Sequence, residues 1–485
     1  MDIADLYQQA RNAYHSGSKE GKARAIDILE GVLQEHPTNG FIIGEMGGIL
    51  VDMGRRGIGS ALLQLACSME KDRGPDAEDW RHWSTLASCL EHLEHREMAR
   101  AAFEEALRVN PDVSDIYDQL SGTYVNAGEP EKCIAYAKKA LELNPNNVIA
   151  KKHLGLGYLE AGNWPEGWAM LEYRKQVPDY TRPKYPIPTW TGEPVDTLII
   201  HGEQGVGDEV MYLSLIARIR GLAKRLVVEV TPRLVPLIRR SLGCEVYGSM
   251  DEVAANGILP RQQTAVDLSH ISIAGADEPT TAIISCASLP NVLGLERHQA
   301  RSAGYVMPDP IRVDYWREKM AAEADGKPIV GITWEGGVRK THKKVRNPPF
   351  EMMRKFVADH PEYCWVSLQY THGDTVNKTM PGALHFQQAL DDFDEQAALL
   401  SALDLLVSVP QTAVHIAGAM SVPVITLVSK CPRWDFCSPN DEMPWWESVR
   451  MIKQTGEWEP VFEQLDGLLS RRFATKRNVI NEAAE

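Results

Sequence analysis

Over roughly the first 175 residues, apolar side chains return every three to four positions, a spacing that predicts amphipathic helices. The pattern also repeats on a longer scale. "WRHWSTLASCLEHLEHREMARAAFEEALRVNP" aligns with "SDIYDQLSGTYVNAGEPEKCIAYAKKALELNP" at a period of 34 residues. Trp83 falls on Tyr117, Leu86 on Leu120, Leu90 on Tyr124, Ala106 on Ala140 and Pro111 on Pro145. A third copy begins near Lys151, with Leu154, Gly155 and Tyr158 in register. Looser copies lie upstream, at "EMGGILVDMGRRGIGSALLQLACSME" and "LYQQARNAYHSG", so about four to five helical hairpins are expected before residue 175. The pattern stops at "VPDYTRPKYPIPTWTGEPVD", whose five prolines forbid a continuous helix and read as an extended linker. Beyond it, short apolar runs alternate with amphipathic segments. "TLIIHG", "RLVVEV", "TAVDLS", "PIVGITW", "CWVSLQY", "DLLVSV" and "VPVITLV" read as strands. "GDEVMYLSLIARIRGLA", "PRLVPLIRRSLG", "PPFEMMRKFVADHP", "DEQAALLSAL" and "TAVHIAGAM" read as helices. Such alternation implies parallel sheets with helices on both faces.

The repeating half resembles the tetratricopeptide repeat. Small residues at fixed positions (Ala99, Cys133, Ala137) let the two helices of a unit approach, larger ones fill the gap between units, and proline ends the second helix. The concave face of such a solenoid suits a protein or peptide partner. Self-association into a homo-oligomer, or bracing of the following domain, is the alternative use. The fold expectation is therefore α + α/β. A repeat solenoid spans 1–178, one α/β lobe 179–310, a second 311–470 and a tail 471–485, with the break between lobes near 305–320.

Composition narrows the function. With 44% hydrophobic and 24% charged residues, the chain can build ordinary cores. A net charge of −15 argues against a general polyanion binder, so nucleic acid is not expected as a partner. No apolar run is long enough to span a bilayer, and the acidic, mixed start is unlike a secretory signal. The eight cysteines are scattered with no CxxC pair, consistent with reduced thiols in a cytoplasmic protein.

Ligands of open α/β sheets bind beyond the carboxyl ends of strands, and three such ends stand out. "HGEQGVGDEV" (201–210) carries Gly205 and Gly207, which permit close approach, and then Asp208 and Glu209 at the start of a helix. A carboxylate here can take a proton from an acceptor hydroxyl; alternatively Asp208 is a first-turn residue stabilised by the helix dipole. "GITWEGGVRKTHKKVRNPPF" (331–350) gathers Arg339, Lys340, Lys343, Lys344 and Arg346 before a helix that Asn347 is expected to cap, with Pro348 at its first position. Cations before a helix N-terminus suit a diphosphate; a solvated charged face is the plainer alternative. "SVPQTAVHIAGAMSVPVITLV" (408–428) opens a helix at Thr412, with His415 three residues on and so on the same face. His415 reads either as a phosphate neighbour or as a hydrogen-bonded core histidine.

Together these stretches resemble tetratricopeptide-repeat glycosyltransferases whose catalytic half is heptosyltransferase-like, with a GT-B fold of two Rossmann-like lobes. The likeness is carried by "EGWAMLEYR", "PTWTGEP", "HGEQGVGDEV", "VGITWEGG", "WVSLQ", "DEQAALLSALDLLVSV", "TAVHIAGAMSVPV" and "CPRW". It implies a catalytic group of Asp208 as general base with Glu209 and His415. It implies an acceptor side at Glu203, Gln204, Gly205 and Gly207. On the donor side it implies Trp334, Arg339 and Arg346, then Ser367 and Gln369 along the nucleotide. Gln411, Thr412, Ala413 and His415 would meet the diphosphate, and Arg433 and Trp434 would close over it. The donor would be a nucleoside-diphosphate sugar, the transfer hexosyl, heptosyl or N-acetylhexosaminyl, the acceptor a protein or glycan presented by the repeats. The resemblance implies neither a cofactor nor a metal. The family often reads Asp-Thr-Ser where this chain has Pro410-Gln411-Thr412. That departure keeps a non-catalytic scaffold with a degenerate sugar-nucleotide site as the alternative. A NAD-linked enzyme is disfavoured by the absent GxGxxG.

Overall fold

A computed structural model of the chain describes residues 2–178, 180, 187–255, 280–337, 343–371 and 375–484. The expected strand at "TAVDLS", and Arg339 and Lys340 of the basic run, lie outside these residues. The chain divides into two compact units. One comprises Met1–Gly157 with Tyr173–Pro178, the other Tyr158–Glu172 with Asp179–Glu485.

The first unit is a solenoid of helical hairpins. Helices α1 (Ile3–His15) and α2 (Lys19–Glu35), α3 (Gly40–Asp52) and α4 (Arg56–Arg73), α5 (Trp80–His92) and α6 (Arg96–Val109), and α7 (Ser114–Tyr124) and α8 (Pro130–Leu143) pair in sequence order. Helix α9 (Val148–Ala161) contains the boundary between the units. Local chemistry starts several of these helices. Ser18 accepts from the Gly21 N–H, Asn39 from that of Ile42 and Asp79 from that of Arg81. Pro130 occupies the first turn of α8, where its missing N–H costs nothing. Ala99, Cys133 and Ala137 are fully buried, as the 34-residue register requires, around Leu86, Phe103, Leu120 and Tyr124. Each large side chain so buried contributes about 1.5–3 kcal/mol.

The second unit opens with the end of α9 and with α10 (Trp164–Leu171), and then holds two parallel sheets. Strands β1 (Val195–His201), β2 (Ala223–Glu229), β3 (Glu245–Tyr247) and β4 (Thr281–Ser285) form the first, in the order β3-β2-β1-β4. Its register sets Ile199 opposite Val227 on one side and Ile283 on the other, over a core that includes Met250 and Val253. Strands β5 (Ile329–Ile332), β6 (Cys364–Ser367), β7 (Ala383–His385), β8 (Leu405–Ser408), β9 (Val424–Val428) and β10 (Val449–Lys453) form the second, in the order β10-β9-β8-β5-β6-β7. Val330, Ile332, Val407 and Leu427 build its core with Leu465, Leu469 and Phe473 of the helix Glu459–Ala484.

Two helices carry the functional geometry: α11 (Val206–Leu213) after β1, and α12 (Thr412–Ala419) after β8. The single helix expected over "GDEVMYLSLIARIRGLA" is instead broken after Leu213 and resumes as one turn at Ile216–Ile219. The Ser214 hydroxyl donates to the Met211 carbonyl (2.7 Å), a local bond that competes with helix continuation. Trp445 adds its indole N–H to the same carbonyl (3.0 Å).

Candidate functional site

The carboxyl ends of β1, β5, β8 and β9 converge on one crevice of about 290 Å³ within the second unit. Gly205, Gly207 and Asp208 line it from α11 and its preceding turn, Gly337 and Arg346 from the segment after β5, and Pro410, Gln411, Thr412 and His415 from the start of α12. Arg433 and Phe436 come from the segment after β9, and Tyr370 from that after β6.

Close backbone approach makes this convergence possible. A Cβ on Gly207 would lie 3.2 Å from the His415 ring and 3.3 Å from the Thr412 Cα, so α11 and α12 meet at a glycine. A Cβ on Gly336 would lie 2.6 Å from the Pro410 carbonyl oxygen. Gln204 bends the turn before α11 with φ of 75°, a left-handed conformation that is uncommon outside glycine. Its side chain is exposed and does not line the crevice.

A connected set of charges crosses the site. The Asp208 carboxylate accepts from the Gly205 N–H (3.2 Å), so its first-turn capping role is real. Its other oxygen lies 2.9 Å from Nη1 of Arg433. Arg433 turns Nε (2.6 Å) and Nη2 (2.7 Å) onto both oxygens of Asp435, a bidentate fork. Asp435 is fully buried and its Oδ2 also faces His415 Nε2 at 3.3 Å. The Trp446 indole N–H donates to His415 Nδ1 (3.3 Å). Both ring nitrogens of His415 are therefore engaged, and the core-histidine reading and the crevice-wall reading hold together. Burial opposes the Asp435 charge, but Arg433 and His415 hold its carboxyl well below the usual range. Burial likewise opposes the Arg433 charge, and the carboxylates of Asp208 and Asp435 raise its pKa above the ordinary arginine value. Arg346 is buried; burial and nearby Arg433 lower its pKa.

The two helix N-termini are not equivalent. Helix α11 has Asp208 and Glu209 in its first turn, whereas the first turn of α12 carries no acid. Gln411, its N-cap, makes no side-chain cap, and its Nε2 is buried without a hydrogen-bond partner among the described residues. With Arg346 and Arg433 beside it, the α12 end is the corner suited to an anion.

Several expected site residues stand behind the wall rather than on it. Glu209 is buried and accepts from the Thr231 N–H (2.9 Å) and hydroxyl (3.1 Å), facing away from the crevice. Glu203 is buried against the Ser285 and Tyr180 hydroxyls. Trp334 packs on Phe350, and Gln369 accepts from the Trp334 and Glu335 N–H groups (3.0 Å each) while Ser367 accepts from the Gln369 N–H. Gln369 thus shapes the loop after β5, and Ser367 the end of its own strand. Trp434 packs among Trp164, Trp168 and Trp445, and Ala413 is buried in α12. Asn347 does not cap the next helix, which begins at Phe350. Its amide clamps Gly336 instead, accepting from the N–H (3.1 Å) and donating to the carbonyl (3.2 Å). Asp435, Tyr370 and Phe436 are additions that sequence reading did not single out. Asp435 was signalled only by its place two residues from Arg433.

A second crevice, about 210 Å³, lies in the first unit between α1, α3 and α5. There His82 is buried, with Nδ1 2.9 Å from Glu70 and Nε2 3.6 Å from Glu45, under Gly44, where a Cβ would strike the ring. Burial opposes its charge, but Glu45 and Glu70 raise its pKa to about 9. The folded value lies above the unfolded one of about 6.5, so this stabilisation is complete below pH ~6.5 and is lost as pH rises through 9. Its expected size is about 3 kcal/mol. Thermal unfolding between pH 6.5 and 9 is expected to show a falling midpoint that His82→Gln flattens.

Among the described residues no helix is long and apolar enough to cross a membrane, and no group of three or more His, Cys, Asp or Glu is placed to hold a metal. All eight cysteines are free thiols.

Comparison with known proteins reaches both units for one relative, whereas the family model and the solved structures cover only part of the chain. Protein FlbA of Caulobacter vibrioides is 26% identical over 413 residues, covering 81% of this chain and 67% of that protein. Among solved structures, MamA from Desulfovibrio magneticus is 16% identical, covering 37% of this chain and 97% of its own, with a TM-score of 0.30. YrrB, described as a TPR protein with an unusual peptide-binding site, is 17% identical, covering 37% and 88%, with a TM-score of 0.32. The tetratricopeptide repeat family matches residues 83–113 and 114–147, so the chain carries tetratricopeptide repeats followed by parallel-sheet α/β structure.

Proposed function

We propose that the second unit is a glycosyltransferase of GT-B organisation. It takes a nucleoside-diphosphate sugar as donor, and the repeats recruit a protein or glycan acceptor. The observation that carries this reading is the single crevice in which Asp208, Arg433, Arg346 and the α12 N-terminus meet at the carboxyl ends of two parallel sheets. The acceptor oxygen bonds to the anomeric carbon, the bond from that carbon to the diphosphate breaks, and the acceptor proton passes to Asp208. The departing diphosphate gains negative charge, which Arg346, Arg433 and the free donors of α12 stabilise. Arg339 and Lys340 are further candidates for the donor side.

A second reading, a non-catalytic sugar-nucleotide site on a repeat scaffold, is favoured by one feature: both oxygens of Asp208 are already engaged. Incubation of the purified chain with radiolabelled UDP-, GDP- and ADP-sugars decides between them. Hydrolysis or transfer with at least one donor is expected. Binding without turnover supports the second reading, and neither binding nor turnover removes both.

A further inference from the structure

Arg433 uses its three nitrogens unequally. Nε and Nη2 are committed to Asp435, which is fully buried and further fixed by His415 and, through it, Trp446. Nη1 meets Asp208, on α11, at a partly exposed edge: the Asp208 and Arg433 side chains are 15% and 25% exposed. The two ends of this arginine therefore differ in cost. Separating the Asp435 end would strand a fully buried charge, whereas the Asp208 end opens onto the crevice, where another anion can replace it. The Asp435 end is an anchor and the Asp208 end is exchangeable. Arg433, Gln411 and Thr412 line the same crevice, so a dianion bound at the α12 corner competes with Asp208 for this arginine.

We propose that Arg433 is a donor-sensing switch: pivoting on Asp435, it passes its Nη1 hydrogen bond from Asp208 to the diphosphate of the bound nucleotide, which releases Asp208 to receive the acceptor proton. Asp435 is the positioning residue of this switch. The inference rests on the donor reading above and adds an order of events, donor before acceptor chemistry. It carries a consequence opposite in sign to that of a simple base. Asp208 competes with the diphosphate for Arg433, so removing its charge strengthens nucleotide binding while it removes the proton acceptor.

The test is a double-mutant cycle by calorimetry on the full chain, with UDP, GDP and ADP as probes. Asp208→Asn keeps an oxygen to cap the Gly205 N–H and is expected to bind the preferred nucleotide about three- to tenfold more tightly. Arg433→Gln is expected to weaken binding about tenfold or more. In the Arg433→Gln background, Asp208→Asn is expected to change nothing. A gain of equal size in both backgrounds means plain loss of repulsion and overturns the switch, as does an unchanged or weaker affinity in Asp208→Asn alone. In either case nucleotide binding by the parent chain leaves the donor reading standing. If none of the three probes binds the parent, the donor reading itself fails and takes the switch with it. Circular-dichroism melts of each variant establish that the affinities refer to folded protein.

Discussion

Asp208→Asn is expected to lower sugar transfer by about 10²–10⁴-fold, the usual worth of a positioned general base. The substitution is nearly isosteric. Asn retains an acceptor for the Gly205 N–H, so the start of α11 keeps its cap, and Gly207 still meets His415 and Thr412. What disappears is the carboxylate proposed to take the acceptor's proton. The loss belongs in kcat, because accepting the proton acts on the chemical step, whereas freeing Arg433 lowers the KM for the donor. A steady-state comparison of kcat and KM for the preferred donor checks this. Unchanged kcat would deny Asp208 its role and return it to helix capping alone.

The second large effect is on stability. Asp435→Ala removes the anchor of Arg433 and one partner of His415, leaving a partly buried cation beside another, Arg346. Breaking one side of such a pair costs about 3–5 kcal/mol, a large share of the roughly 5–15 kcal/mol that holds a typical domain. The melting transition is expected to fall by roughly 5–10 °C for a unit of this size. Asp435→Asn, which retains an acceptor, falls less. The carboxyl of Asp435 is depressed, so its contribution is present above the ordinary carboxylate range and is lost as pH falls through the folded value. Acid unfolding of Asp435→Asn is therefore expected to be less steep than that of the parent, as measured by fluorescence of the surrounding tryptophans.

How much of this was legible in the sequence follows from the range of the interactions. The repeats rest on local spacing: Ala99, Cys133 and Ala137 recur where helices must touch, and Pro111 and Pro145 lie just beyond the ends of α6 and α8. Strands β1, β2, β5, β6, β8 and β9 were readable as apolar runs. Strands β3 and β7 have three residues each and gave no such run, and β10 ("VRMIK") interleaves apolar and basic residues. Strand β4 ("TAIIS") runs directly into apolar "CASL", so its end is not marked.

At the site, the sequence located the right turns but not the direction of each side chain. Asp208 and Glu209 are neighbours in a helix, where successive residues point about 100° apart. One faces the crevice and the other faces Thr231. Gln369 belonged to the expected block, yet its amide oxygen satisfies the backbone of a neighbouring loop, a long-range need that spacing does not encode, while Ser367 accepts only from the N–H two residues on. Asp435 was missed because its partner His415, itself held by Trp446, comes from elsewhere in the fold.

A crystal structure of the full chain with its preferred nucleoside diphosphate tests the central claim most directly. The account predicts diphosphate oxygens within hydrogen-bond distance of Arg433 Nη1 and the first turn of α12, Arg433 still forked on Asp435, and Asp208 separated from it. A nucleotide seated outside this crevice, or within it with the Asp208–Arg433 pair intact, would contradict it.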